Sequence, residues 1–215
     1  MATAPAKDEK IPLTPIPRRE MSFEDFLAWA GDGEEGARWE WVDGEPVKMV
    51  SVNIDHARLV TFVSTLLGMV CGARGIGEVV TDTFLMRAAP KGNGRCPDIL
   101  LVRREHSARF QKNYLLGAAD LVVEVVSPGS IKTDYLKKHS EYQRDGVPEY
   151  WIIDPVERQT SFFVLQQDGT YAEARLNGNG RFASPAVDGL TFDPSWFHQV
   201  PLPNPIDILK DWGLL

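Results

Sequence analysis

Two short apolar runs without polar alternation lie in the middle of the chain. Residues 99–102 read ILLV, and residues 121–126 read LVVEVV. Continuous runs rich in Val and Ile are typical of strands that are buried on both faces of a sheet. Residues 147–155 (VPEYWIIDP) predict a further strand. Because Glu124 lies inside the second run, the pattern predicts a carboxylate in a core strand, where an ionised acid needs a cationic partner.

The segment that follows Glu124 predicts a helix that can supply this cation. Ser130 or Thr133 can cap it, the first turn contains an acid, and Asp145-Gly146 is a typical C-terminal stop. At about 100° per residue the helix has two stripes. One carries Ile131, Tyr135, Lys138 and Tyr142, and the other carries Ser130, Asp134, Lys137 and Glu141. We therefore predict that Lys138 faces the sheet and that Lys137 faces water.

Three features together identify a family resemblance: Asp98 after a proline, Glu124 before Val125-Val126, and residues 127–155 (SPGSIKTDYLKKHSEYQRDGVPEYWIIDP). They resemble the putative restriction endonuclease family, a domain of unknown function and a branch of the PD-(D/E)XK nuclease superfamily. The resemblance extends from about residue 21 to about residue 197. In the superfamily pattern a lysine stands two residues after the glutamate, but here that position is Val126. In this family the lysine lies on the following helix, which matches Lys138.

The resemblance implies an α/β (α+β) fold with a restriction-endonuclease-like core. Such a core has a central mixed β-sheet flanked by helices, here with peripheral hairpins. We assign residues 1–20, which combine four prolines with scattered charges, to a flexible N-terminal arm. Residues 21–215 are assigned to a single domain.

The N-terminal half predicts a helix, a hairpin, a long helix and a core strand. Ser22 can cap a short helix that runs to about Ala30, and the Asp43-Gly44 turn predicts a hairpin over residues 38–50. A long helix runs from Asn53, its cap, to about residue 71. Residues 78–86 predict the first core strand, and the loop KGNGR leads to Pro97-Asp98.

Two further polar residues fall on faces that are expected to be buried. Glu40 lies in the hairpin, where it either faces inward or is an exposed strand acid opposite a tryptophan face. His56 opens the apolar stripe of the long helix. A histidine there is more often a packed core residue than a catalytic one. The family resemblance favours a functional role, because a histidine opens the same helix in the relatives.

The C-terminal part predicts a second hairpin and an apolar tail. Residues 159–165 and 170–175 flank a Gln-Asp-Gly turn, and this hairpin is expected to extend the sheet or cover its edge. The segment from about residue 195 can form a subunit interface if it does not fold back on its own domain. Its large apolar residues are Trp196, Phe197, Ile206, Ile208, Leu209, Trp212, Leu214 and Leu215.

Composition narrows the class of protein. The chain has 215 residues, a net charge of -7, and only two cysteines, Cys71 and Cys96, without zinc-site spacing. We expect a cytoplasmic protein with no membrane segment. The acidic charge argues against a broad nucleic-acid-binding surface, which is usually basic. Residues 100–145 are nevertheless mildly positive, with eight Lys and Arg against six acids.

The candidate chemistry follows from two acids and a lysine at converging strand ends. Asp98 and Glu124 suit Mg²⁺ or Mn²⁺, and the carbonyl of Val126 can complete the protein's share of the ligands. Lys138 would orient the attacking water or stabilise the phosphorus centre. Glu40 could bind a second ion or position water, and Tyr142 could steady the lysine. His56 joins this candidate set through the family resemblance.

The expected function is Mg²⁺-dependent hydrolysis of phosphodiester bonds, with DNA as the nucleic-acid partner. An alternative is a catalytically inactive binding or assembly module that kept the fold, in which Glu124 and Lys138 form a structural salt bridge. The resemblance also implies a homodimer, because nucleases of this fold commonly cut both strands by pairing two subunits. Two-fold symmetry is also the commonest assembly of soluble chains.

Overall fold

The computed structural model describes residues 20–31, 38–49, 52–81, 84–127, 130 and 133–215. The predicted N-terminal arm lies outside these residues except for Glu20. The helices are α1 (Phe23–Gly31), α2 (Ile54–Arg74), α3 (His139–Arg144) and α4 (Pro205–Asp211), with 3₁₀ turns at Arg104–Arg109 and Pro194–His198 and a π-helical turn at Thr133–Lys138. The strands are β1 (Trp39–Val42), β2 (Glu45–Lys48), β3 (Gly77–Thr81), β4 (Leu85–Arg87), β5 (Gly94–Arg95), β6 (Ile99–Arg103), β7 (Tyr114–Leu116), β8 (Leu121–Val125), β9 (Glu149–Asp154), β10 (Gln159–Leu165), β11 (Tyr171–Glu173), β12 (Phe182–Ala183) and β13 (Thr191–Phe192).

A six-stranded mixed sheet forms the centre of the fold, in the order β11-β10-β9-β8-β6-β3. β8 and β9 are parallel, and the other neighbours are antiparallel. The three apolar runs form β6, β8 and β9, whose residues are almost all buried. The prediction of a central mixed sheet is confirmed, and the predicted second hairpin extends it as β10 and β11.

Helices cover both faces of this sheet. Leu101 and Val123 belong to a core cluster that also contains the buried side of α2. Val122 belongs to a second cluster on the opposite face, with Tyr142 of α3. Because side chains alternate along a strand, Glu124 points to the same face as Val122. The two predicted flanking helices therefore lie on opposite faces, and Glu124 points toward α3.

α2 is the long core helix. The side chain of Asn53 accepts a 2.9 Å hydrogen bond from the His56 amide, and Gly75, with a φ of 63°, ends the helix slightly beyond the predicted end. In the described part of the chain, α2 is the one helix that is long and apolar enough to cross a membrane by length and composition. Its buried side, from His56 to Cys71, packs into the core of the sheet. This packing accounts for its apolar character.

The predicted strand over residues 78–86 is wrong, because it is two strands in two sheets. β3 pairs with β6 in the central sheet, whereas β4 pairs with β5 and β7 in a five-stranded sheet of order β2-β1-β5-β4-β7. Glu78 and Thr81 are exposed, whereas Leu85 and Met86 are buried. A change of sheet between two apolar stretches leaves no mark in the hydrophobic pattern.

The predicted N-terminal helix and hairpin are confirmed. Ser22 caps α1 by accepting a 3.0 Å hydrogen bond from the Asp25 amide. The turn between β1 and β2 has positive φ at Asp43 (52°) and Gly44 (85°), as two-residue hairpin turns require. α1 packs on β1 through an edge contact of Phe23 with Trp41. These elements form a lobe beside the central sheet.

The C-terminal segment folds back on its own chain. Phe197, Ile208 and Leu209 are buried in the cluster that contains the core side of α2. Other apolar residues of the segment stay exposed, as at Val200, Ile206 and Leu215. The condition on which this segment was expected to form a subunit interface is therefore not met.

Glu149, at the start of β9, ties this C-terminal part to the sheet. Its carboxylate accepts hydrogen bonds from Trp151 Nε1 (2.6 Å), from the Ser184 hydroxyl (2.8 Å) and from the Ala186 amide (2.8 Å). It is 1 % exposed. Burial raises the pKa of Glu149 to about 7, although these hydrogen bonds oppose the shift.

We expect Glu149 to make the free energy of unfolding fall as the pH rises from about 5 to about 8. An acid whose pKa is higher in the folded state contributes stability below its unfolded pKa, and that stability is lost as the pH rises through the folded pKa. The shift corresponds to roughly 3 kcal/mol. Urea denaturation at several pH values gives the free energy of unfolding as a function of pH. This free energy should change less with pH for Glu149→Gln than for the wild type. An equal pH dependence would contradict the raised pKa of Glu149.

Candidate active site

Asp98 and Glu124 lie side by side in the central sheet, where β6 begins and β8 ends. The antiparallel register of β6 and β8 places Asp98, which precedes β6, opposite Glu124. Asp98 Oδ2 accepts a 2.7 Å hydrogen bond from the Val125 amide. The same oxygen lies 3.1 Å from Nε2 of His56, in the first turn of α2. The structure thus brings together three of the residues that the sequence nominates.

Lys138 and Tyr142 reach Glu124 from the α3 side. Lys138 Nζ lies 2.8 Å from Glu124 Oε2, and the Tyr142 hydroxyl donates a 2.9 Å hydrogen bond to Glu124 Oε1. Lys138 is 7 % exposed, whereas Lys137 is exposed. The predicted orientation of the two lysines is confirmed. Each oxygen of Glu124 therefore has one protein partner.

The predicted outward position of Asp134 is wrong. It is 1 % exposed, and its Oδ1 lies 3.2 Å from Lys138 Nζ, an ion-pair contact without hydrogen-bond alignment. The cause is the π-helical turn at Thr133–Lys138, whose i→i+5 pattern holds more residues per turn than the α-helix that the stripes assume. Residues 128, 129, 131 and 132, which include the stripe residue Ile131, lie outside the described residues.

A buried arginine that the sequence analysis missed completes the cluster. Arg95 is 3 % exposed and donates 2.7 Å hydrogen bonds to both carboxylate oxygens of Glu141 and a 2.8 Å hydrogen bond to Glu40 Oε2. Glu40 Oε1 accepts a 3.0 Å hydrogen bond from the Cys96 amide. Glu40 thus faces inward, and Glu141 turns to Arg95 instead of lying on a solvated stripe. The sequence signal that could have pointed to Arg95 is its position, three residues before Asp98.

The cluster holds more carboxyl groups than permanent cations, and burial acts on the charge of several of them. Burial raises the pKa of Glu124 to about 8, where Lys138 opposes the shift and Asp98 and Asp134 add to it. Burial also raises the pKa of Asp134. For Lys138, burial acts to lower the pKa, but the attraction of Glu124, Asp134 and other acids outweighs it and raises the pKa. Five carboxylates (Glu40, Asp98, Glu124, Asp134 and Glu141) meet two permanent cations (Arg95 and Lys138).

A divalent cation fits this excess of carboxylates. Mg²⁺ usually binds through one or two carboxylates, with waters and substrate phosphates as the other ligands. Asp98 and Glu124 are such a pair, and a carboxylate has roughly four acceptor positions, so both keep capacity for an ion. In the described ranges, no group of three or more His, Cys, Asp or Glu side chains is arranged to hold a metal ion, so the ion would depend on these two carboxylates. Val126 directly follows β8, and its role as a carbonyl ligand stays a prediction.

The fold is shared with a solved structure. A putative nuclease belonging to DUF820 from Anabaena variabilis ATCC 29413 superposes with a TM-score of 0.64 at 16 % sequence identity, over 81 % of this chain and 95 % of that chain. At this identity the likeness concerns the fold alone. Curated proteins give no significant match. The Uma2 family, described as putative restriction endonuclease, matches residues 23–195, which contain every candidate site residue. The chain therefore belongs to the Uma2 family of putative restriction endonucleases.

Proposed function

We propose that this protein is a metal-dependent nuclease that hydrolyses phosphodiester bonds of DNA, with Mg²⁺ or Mn²⁺ as the cofactor. The observation that carries the proposal is the pair of opposed carboxylates, Asp98 and Glu124, beside a buried and charged Lys138. Family membership supports the nuclease class. The excess of carboxyl groups over permanent cations supports the cation, because a divalent ion would favour the ionised forms that burial otherwise disfavours.

Asp98 and Glu124 would hold the ion in fixed orientations. When bound, it would lower the pKa of a water ligand and neutralise charge that develops on the phosphate. The Val125 amide and His56 fix the carboxylate of Asp98. The Tyr142 hydroxyl fixes the carboxylate of Glu124. Such prior positioning matters, because small displacements of reacting groups cost much of a rate enhancement.

Lys138 would act as a cation and not as a base. Its raised pKa keeps Nζ protonated at neutral pH, so it can donate hydrogen bonds to a phosphate oxygen or to the attacking water. Both oxygens of Glu40 already accept hydrogen bonds from Arg95 and Cys96. We therefore assign Glu40 a positioning role in preference to binding of a second ion. Through Arg95 it holds α3, which carries Tyr142, against β1.

The test is incubation with supercoiled plasmid, single-stranded DNA and RNA, each with Mg²⁺, with Mn²⁺ or with EDTA. We expect nicking or linearisation of DNA that requires the divalent ion. RNA in place of DNA as the preferred substrate would correct the substrate and keep the chemistry. Absence of cleavage of all three nucleic acids with either ion would contradict the proposal.

One observation favours the inactive binding or assembly module as a second candidate. Both oxygens of Glu124 are satisfied inside the protein, by Lys138 and by Tyr142, as in a structural ion pair. This candidate predicts no stabilisation by divalent ions. Thermal melts with and without Mg²⁺ separate the two functions, because an ion that binds the folded state alone raises the melting temperature.

We also propose that the protein is a cytoplasmic homodimer that pairs two sites to cut both strands. The buried part of the folded-back C-terminal segment, with Phe197, Ile208 and Leu209, is used within the chain and is not free to form the interface. Light scattering at micromolar concentration should give the mass of two chains. A monomer under these conditions would contradict the dimer and leave single-strand nicking as the expected reaction.

A further inference from the structure

A groove of about 930 Å³ runs between the first three turns of α2 and the segment at residues 197–205. A smaller depression of about 520 Å³ shares Arg158, His198 and Gln199 with it. The volume of the groove is in the range of clefts that bind small organic ligands. The walls of the groove include Ile54, Arg58, Phe62, Phe197, Val200 and Leu202.

Two elements that line the groove also carry or neighbour residues of the candidate cleavage centre. Ile54 and Ala57 line it, and His56 between them contacts Asp98. Pro155, which also lines the groove, directly follows β9, where Ile152 is the strand partner of Glu124. The first turn of α2 and the end of β9 therefore connect the groove to the candidate centre.

The rim of the groove carries two arginines and one acid among the described residues, in a chain of net charge -7. These are Arg58, Arg158 and Asp55, which is 3.4 Å from Arg58. His198 also lies there, but burial and Arg158 lower its pKa, so it is not counted as a cation. Basic side chains along a groove track a phosphate backbone. With one more arginine than acid, the rim has the sign of charge that suits a polyanion.

Arg158 occupies an unusual backbone position. Its φ is 54°, in the left-handed region that favours glycine, in the turn between β9 and β10. The Asp154 carboxylate shapes this turn by accepting 2.9 Å hydrogen bonds from the amides of Val156 and Glu157. A non-glycine residue in a costly conformation beside a site points to a use of its side chain.

The walls of the groove are apolar and open to solvent. Val200 is 93 % exposed and Ile54 is 62 % exposed. Phe62 and Phe197, which also line the groove, are buried against each other edge to face, with ring centroids 6.3 Å apart. Exposed apolar side chains such as Val200 and Ile54 can pack against unpaired bases, whose flat faces are open, whereas the bases of a duplex are already stacked on each other.

We propose that this groove binds an unpaired segment of the nucleic-acid substrate, with bases against its apolar walls and phosphates at Arg58 and Arg158. The inference rests on the proposed nuclease function and adds that the substrate carries single-stranded DNA next to the cleavage point. Blunt duplex DNA would fill the groove poorly.

The test measures binding without cleavage. Fluorescence anisotropy in EDTA follows a labelled single strand of about 20 nucleotides and a blunt duplex of the same sequence. The variants are Arg158→Gly and Val200→Asp. The first removes the guanidinium and relieves the left-handed backbone, so its melting temperature should stay equal or rise. Arg175→Ala and Leu176→Asp are the matched controls, since both residues are exposed and lie outside the groove.

We expect each groove variant to bind the single strand about tenfold more weakly, because a lost phosphate contact or a new negative charge acts directly on the strand. The controls and duplex binding should change less than about twofold. Equal loss in the controls, or no loss in the groove variants, would overturn the groove proposal. So would a change in mass by light scattering for Val200→Asp, because a second copy of the chain would then be the occupant.

Cleavage of the same oligonucleotides with Mg²⁺, measured separately, keeps the two proposals apart. If the wild type cleaves and the groove variants bind and cleave the single strand as well as it does, the groove proposal is wrong and the nuclease proposal is kept. Selective loss of single-strand binding without any wild-type cleavage would support the groove as a nucleic-acid site and contradict the nuclease.

Discussion

Asp98→Asn and Glu124→Gln are each expected to lose cleavage by at least about 100-fold and to lose stabilisation by Mg²⁺. Each change removes a negative charge from the pair that would hold the ion, while the size of the side chain is kept. For the wild type, an ion at about 100 times its Kd should add about 2.7 kcal/mol to the free energy of unfolding. Thermal melts with Mg²⁺ and with EDTA measure this difference directly.

The stability of Glu124→Gln without metal distinguishes a metal site from a structural salt bridge. Burial raises the pKa of Glu124 to about 8, so its ionised form is disfavoured in the fold. The amide keeps an acceptor for Tyr142, and Lys138 keeps Asp134. We therefore expect the metal-free variant to be at least as stable as the wild type at pH 8, whereas loss of a structural partner would cost about 3–5 kcal/mol.

Glu78→Gln is the matched control, because Glu78 is an exposed acid on β3. It should keep both cleavage and the Mg²⁺-dependent shift. If neither Asp98→Asn nor Glu124→Gln loses the shift, the metal site is wrong, and the inactive module becomes the better account of the buried cluster.

The core of the site could be predicted because its causes are local in sequence. A strand buried on both faces must be a continuous apolar run, so β6 and β8 could be recognised without any knowledge of their neighbours. A buried Glu124 needs a cation, and the period of the following helix turned Lys138 inward. The pairing of these residues with Asp98 came from the family resemblance, and the strand register agrees with it.

The rest of the cluster could not be predicted because its contacts are distant in sequence. Arg95 lies 46 residues from Glu141 and 55 residues from Glu40, and no periodic pattern links such positions. The burial of Asp134 depends on a π-helical turn, which hydrophobic spacing based on the α-helix does not reveal. The division of residues 78–86 between two sheets could not be predicted either, because both strands contain apolar residues and the pattern does not show that they belong to different sheets.

Lys138→Met is expected to lose cleavage by at least about 100-fold while Mg²⁺-dependent stabilisation is retained. Methionine keeps most of the side-chain volume but removes the charge that would meet the phosphate. Lys137→Met is the matched control on the same turn, and because Lys137 is exposed it should keep activity within about twofold and stability within about 0.5 kcal/mol. If Lys137→Met is inactive and Lys138→Met is active, the assignment of the function to Lys138 is wrong.

Stability should show the second consequence of Lys138→Met, and its pH dependence gives the cause. Without Nζ, Glu124 and Asp134 are buried acids with no cation between them, which should cost about 3–5 kcal/mol at neutral pH. Their pKa values, already raised by burial, should rise further. Acids of this kind contribute stability below their unfolded pKa and lose it as the pH rises through the folded pKa. The loss in free energy of unfolding of the variant, measured by urea denaturation, should therefore shrink as the pH falls from about 8 to about 5. A loss that does not depend on pH would mean that lost packing, and not unpaired charge, is the cause.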